Sequence, residues 1–175
     1  FASKECGGAG LSGLVTSGGD LNESNARVAR TEMLRWARKN IGGDEDNASR
    51  LAKECLAAAE RRVPREFAPL MKTCAFLIKS GLFDMLDASD FADDFLAAVK
   101  PSIMATQNPQ RAAAGIEVMT ALLPQEGLTA RRALRVLVIL VGHNFPTLRK
   151  RAATALYTAM LTYDEDLLPS GSADG

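Results

Sequence analysis

Between His143 and Tyr163 the chain reads HNFPTLRKRAATALYTAMLTY, and this stretch constrains the fold more than any other. Pro146 stands where the first turn of a helix accepts proline, because the N–H it lacks would have no partner there. After it, Leu148, Ala152, Ala155, Leu156, Ala159 and Tyr163 recur at steps of three and four, which places them on one helical face. Small alanines alternating with leucines suit a helix pressed between neighbours on two sides. Such a stripe cannot be buried by one helix alone, so the rest of the chain has to supply helices that stack on it.

The spacing Leu148-Arg149-x-x-Ala152-x-x-Ala155-Leu156 is the second-helix pattern of HEAT and armadillo repeats, units that bury their apolar faces only against stacked copies. Further helices follow from the same periodicity. Asp20, Asn22 or Ser24 can cap a first helix to about Asn40, with Ala29, Met33, Trp36 and Ala37 inward. Within it, Ala26-Arg27-x-x-Arg30-x-x-Met33-Leu34 echoes the pattern. The segment 41–47 (IGGDEDN) breaks the chain, and its acids favour the start of a second helix from Ala48 to Arg62 that buries Leu51, Cys55, Leu56 and Ala59. Pro64 or Pro69 opens a third, striped by Phe67, Leu70, Met71, Cys74, Leu77 and Ile78 and closed by Gly81. Leu82 to Leu86 form an apolar plug. Ser89 or Asp90 caps a fourth helix with Phe91, Phe95, Ala98 and Val99 inward, which Pro101 kinks or ends. Asn108-Pro109 opens a fifth to Leu123, with Ala112, Ile116, Met119 and Leu123 on its stripe. Thr129 caps a sixth whose second half, Val136 to Val141, is apolar all round and belongs in the middle of a stack. Gly142 ends it. Arg111 and Arg149, 38 positions apart and each followed by alanine three residues on, match the roughly 40-residue period of HEAT repeats.

No strand pattern survives, and the expected fold is all-α, a HEAT/armadillo-like α-solenoid. It divides into a Gly/Ser-rich leading segment (1–20), a helical-repeat domain (21–166) and a tail (167–175) expected to be flexible. Hydrophobic residues make up 47% of the 175 and aromatics 6%, a balance that favours helices and allows a sizeable core. With 21 basic and 21 acidic residues the net charge is zero, which disfavours nucleic acid or anionic lipid as a partner. The longest apolar run falls far short of the roughly 20 residues of a membrane span. The start at Phe1 lacks both Met and a secretory pattern, so the chain is expected to be a piece of a longer one.

Enzyme signals are missing from the sequence: GxSxG, HExxH and GxxxxGK[ST] do not occur. The one histidine, His143, falls on an inter-helix turn and reads as a capping or solvent-facing residue. Three cysteines, Cys6, Cys55 and Cys74, have no metal or redox spacing and read as reduced thiols, the latter two buried. Gly18-Gly19 reads as a turn. The acids Asp84, Asp87, Asp90, Asp93 and Asp94 lack the spacing and terminal Glu of a calcium loop and read as caps on a solvated face. The basic set Arg131, Arg132, Arg135, Arg149, Lys150 and Arg151 has two readings. It forms solvated faces and inter-repeat salt bridges worth little each, or it meets an acidic partner, for which arginine is a strong anchor.

The stretch His143, Phe145-Pro146, Arg149-Lys150, Tyr157 and Leu161-Thr162-Tyr163 resembles the C-terminal domain of the tubulin-folding cofactor D family. Three further segments resemble it in the same order. They are Val15-Thr16-Ser17-Gly18-Gly19 with Asn22-Glu23-Ser24, then Arg62-Val63-Pro64 through Pro69-Leu70-Met71-Lys72-Thr73 with Gly81-Leu82-Phe83-Asp84, then Arg131-Arg132-Ala133-Leu134. The resemblance covers residues 11–166. It departs at Leu82, where the family often has Cys, at Pro101, and in the Gly/Asp-rich 41–48 insert.

What the resemblance implies is a non-catalytic chaperone scaffold of the cytoplasm and cytoskeleton. It would bind β-tubulin and the αβ-tubulin heterodimer during assembly or disassembly. Its co-workers would be tubulin-folding cofactors C and E and an Arf-like small GTPase, and it would act as a co-activator of GTP hydrolysis by tubulin, with no cofactor of its own. Arg131, Arg132, Arg149, Lys150 and Arg151 are the candidate contacts to tubulin's acidic surface. The competing readings are a generic HEAT/armadillo scaffold with a different partner, and a small helical enzyme with an unrecognised site.

Overall fold

In a computed structural model of the chain, described over residues 13, 15, 17–19, 22–40, 46–83, 88–125 and 128–162, seven helices follow one another and no strand occurs among the described residues. They are α1 (Glu23–Ala37), α2 (Asn47–Arg61), α3 (Phe67–Lys79), α4 (Ala88–Ala105), α5 (Pro109–Leu122), α6 (Leu128–Val141) and α7 (Pro146–Thr162), with a 3-10 turn at Arg38–Asn40 after α1. Short polar residues set several of the starts. The Asn22 side chain accepts from the backbone N–H groups of Ser24 and Asn25, Asp46 from that of Ala48, and Asn108 from those of Gln110 and Arg111. Pro109 and Pro146 each take the first helical position, as their fixed φ favours. Gly81 has φ 67° and closes α3: its N–H reaches the Ile78 carbonyl at 3.0 Å and that of Leu82 reaches Leu77 at 3.4 Å. This is a Schellman cap, and the buried pair Leu77 and Leu82 supplies its apolar contact.

Five expectations need correcting. Neither Pro64 nor Pro69 begins α3, because the Val63 carbonyl accepts from Glu66 and Phe67 and starts the turn between them. Ser89 and Asp90 lie inside α4 rather than at its cap. Pro101 does not end α4, which runs on to Ala105. Its ring and Ala97, whose carbonyl it leaves without an intrahelical donor, are both exposed, so water can take that bond. Thr129 is not a cap, since its hydroxyl donates to Asp93 on α4. Finally, α6 is not covered all round: Val138 and Ile139 are 56% and 47% exposed. Trp36, Phe91 and Ala98 face inward as expected, partly buried against the core, and Leu56 is half-buried. Cys6, Asp20, residues 41–45 and 84–87, Tyr163 and the 167–175 tail lie outside the described residues.

Alternate helices share a layer. In one layer α1 packs on α3, α3 on α5 and α5 on α7; in the other, α2 packs on α4 and α4 on α6. Successive helices pack across the layers, α1 on α2, α2 on α3, α4 on α5, α5 on α6 and α6 on α7. The starts of α2, α4 and α6 fall at residues 47, 88 and 128, and those of α3, α5 and α7 at 67, 109 and 146. Both series advance by about 40, the spacing of HEAT repeats. The fold is therefore the all-α, HEAT-like stack that the sequence predicts. Its covered middle is α5, where Ala112, Ala114, Gly115, Ile116, Val118, Met119, Ala121 and Leu122 are all buried. Gly115 sets the approach of α4, since a Cβ there would stand 2.7 Å from the Ile103 side chain.

The leading segment is tied to the same layer. Thr73 is buried on α3 and donates its hydroxyl to the Val15 carbonyl at 2.6 Å, and Arg30 Nε donates to the Gly18 carbonyl at 2.6 Å. At Gly19 a Cβ would stand 1.9 Å from the Pro69 carbonyl oxygen, so only glycine lets the two backbones touch. Gly19→Ala is expected to destabilise the chain by about 3 kcal/mol, as overpacking against immobile backbone does. Thermal or urea unfolding checks this, with Gly13→Ala as the neutral control, because nothing lies within 4 Å of a Cβ at Gly13.

Candidate functional site: a basic trough across three helices

Three helices of one layer, α3, α5 and α7, carry mostly positive charge. Lys72 and Lys79 on α3, Arg111 on α5, and Arg149, Lys150 and Arg151 on α7 face a single carboxylate on those helices, Glu117. Two cavities open between them, of about 780 and 500 Å³. They share Ala113, Glu117, Thr147 and Arg151 and so form one trough along α5. Arg65, Lys72, Arg111 and Arg151 line the larger cavity, and Lys79, Lys150 and Arg151 line the smaller. Among the described residues none of these cations makes an ion pair. Some cations elsewhere are matched, as in Arg30–Glu23, Arg35–Glu32 and Arg61–Glu54.

The five candidate contact residues separate on this scaffold. Lys150 and Arg151 line the trough. Arg149 does not; its Nη1 donates to the carbonyls of His143 and Asn144 at 3.1 Å each and holds the turn before α7. Arg131 and Arg132 are exposed on α6, in the other layer, and Arg132 pairs with Asp93 of α4 at 3.4 Å, an inter-repeat salt bridge. Arg65, Lys72, Lys79 and Arg111 escaped the sequence reading because they are scattered singly between residues 65 and 111. The available signal was the lack of acids on the third, fifth and seventh helices, read together as one layer.

The remaining chemistry is structural. His143 Nδ1 accepts from the Phe145 N–H at 3.2 Å and its ring stacks on Phe145, so it caps the turn as expected. No group of three His, Cys, Asp or Glu residues able to hold a metal occurs among the described residues, and no described helix is long and apolar enough to cross a membrane. Cys55 and Cys74 are free thiols, both buried where α2 meets α3. Burial pushes the Cys74 thiol well above its usual value, and its contact with Cys55 pushes it further the same way. It is therefore a neutral packing group rather than a nucleophile.

A comparison with known protein families matches residues 9–111 to the model described as tubulin folding cofactor D C terminal. The chain belongs to that family. The match takes in α1 to α4 and the first turn of α5, and with them the segments at 15–24 and 62–84 that carry the resemblance. The segments at 131–134 and 143–163 lie beyond it. No solved structure matches the chain. Membership supports a role in tubulin folding and a chaperone rather than an enzyme.

The raised Cys74 pKa gives a signed pH dependence. A thiol whose pKa is higher in the folded chain than in the unfolded one stabilises the fold below the unfolded value, and that contribution is lost as pH rises through the folded value. Stability is thus expected to fall from pH 8 towards pH 10, starting near the unfolded thiol value of about 8.5. In Cys74→Ala the decline should be shallower, whatever its stability at pH 7. Urea midpoints across that range measure it.

Proposed function

We propose that this segment is a non-catalytic scaffold of the tubulin-folding machinery, and that its basic trough receives an acidic surface of β-tubulin, alone or within the αβ heterodimer. The observation that carries the reading is the set of unpaired cations along α3, α5 and α7 in a chain of this family. A repeat stack presents an extended face suited to holding a protein surface. Opposite charge on the partner then supplies orientation and a fast encounter. On this reading Lys150 and Arg151 contact tubulin, Arg149 positions the turn that presents them, and Arg131 remains available to a second partner on α6.

The wider assignment follows the same proposal. Residues 21–166 act as the functional unit, in the cytoplasm and at the cytoskeleton. Cofactors C and E and an Arf-like small GTPase work beside it, and tubulin itself hydrolyses GTP with the scaffold as co-activator. A generic repeat scaffold with another partner would not account for the family match.

Capture of purified αβ-tubulin by the immobilised chain tests the reading. The parent is expected to retain tubulin, and Lys150→Glu with Arg151→Glu to lose most of it while keeping its helical circular dichroism. Arg149 is left intact because its loss would disturb the His143 turn. Equal capture by parent and variant would remove these two residues from the interface, and no capture by the parent would overturn the reading for this segment.

A further inference from the structure

The trough has a shape and chemistry narrower than a general basic surface. From Pro109 to Thr120 the α5 wall runs about 16 Å at 1.5 Å per residue. That length matches roughly five residues of extended polypeptide at about 3.3 Å each. Four small side chains, Ala68, Ala113, Ala114 and Ala155, are among the lining residues and leave room for a main chain to lie close. The cations stand on both sides: Arg65, Lys72 and Lys79 on the α3 side, Arg111 on α5, Lys150 and Arg151 on α7. Among the described residues no aromatic ring lines either cavity. Single-stranded nucleic acid, the competing polyanion, relies on such rings for base stacking.

We propose that the trough binds an extended acidic peptide segment, about five residues long and rich in Asp and Glu, with its carboxylates reaching the flanking cations. As the element of a partner that the trough takes, this deepens the tubulin-folding reading and rests on it. Arg65, Arg111 and Arg151 can grip carboxylates through two N–H donors each, whereas the lysines act as point charges. Glu117 lines both cavities and, among the described residues, is the one lining carboxylate that opposes such a ligand. It lowers affinity and helps set which stretch of acids can lie across it.

Fluorescence anisotropy of a dye-labelled hexaglutamate peptide against the 175-residue chain tests the inference. Binding is expected that weakens with added salt. Lys79→Glu, Arg111→Glu and Arg151→Glu together should weaken it on the order of tenfold or more. Glu117→Gln should strengthen it about two- to fivefold, a gain that misfolding cannot produce. Arg27→Glu and Arg35→Glu on α1, outside the trough, should leave it within about twofold. No peptide binding, equal loss in the α1 variant, or an oligothymidylate that displaces the peptide at lower concentration would each overturn the proposal. Tubulin capture run in parallel separates the two claims. Tubulin retained without competition from the peptide overturns the trough and leaves the scaffold reading. Peptide bound in the trough without tubulin capture supports the trough and overturns that reading.

Discussion

The packing of α3 against α5 is the interaction on which the other features depend. Both helices are apolar or small on most of their surface, and α5 is covered by α3 and α7 within its layer and by α4 and α6 across it. Close approach requires small residues at the crossings. Ala112, Ala114 and Gly115 on α5 are small and buried, and at Gly115, which meets α4, even one methyl group would displace Ile103. Because protein interiors are packed to crystal density, such a crossing fixes position as well as stability. Displacing α5 would therefore move the α3 and α7 walls that carry the cations.

The trough follows from the alternation of layers. Every second helix falls on the same side, so charges far apart in sequence are brought together and charges close in sequence are separated. Arg132 and Arg149 are near neighbours along the chain, yet one reaches across to Asp93 and the other closes a turn. Lys72 and Arg151, nearly eighty positions apart, line one cavity. A net charge of zero conceals this, because all the acids but Glu117 fall outside α3, α5 and α7. Local field, rather than total charge, governs what such a surface attracts.

The leading segment shows how far a polar exception can be carried inside an apolar stack. Thr73 is buried, and its hydroxyl is satisfied by the Val15 carbonyl. Arg30 reaches the Gly18 carbonyl, and Gly19 lies against the backbone at Pro69. A Gly-Gly pair that reads as a simple turn is thus a contact surface. Glycine is required there by proximity to another backbone, which no local pattern reveals.

The sequence by itself determined seven helices, most of their inward faces, the caps at Asn22 and Asn108, the prolines at the starts of α5 and α7, and the repeat period. Each of these is set within a few residues, by side-chain hydrogen bonds to the nearest N–H groups or by apolar spacing along one turn. Lys150 and Arg151 were legible as candidates because they are adjacent. Tertiary structure alone decided which helix is central, since α6 has the longer unbroken apolar run, Val136 to Val141, but α5 has the neighbours. It also decided which cations act together, that Thr129 serves a neighbouring helix, and that Arg149 supports a turn. Those outcomes depend on what packs beside each helix, and that information is distributed over residues some forty positions away.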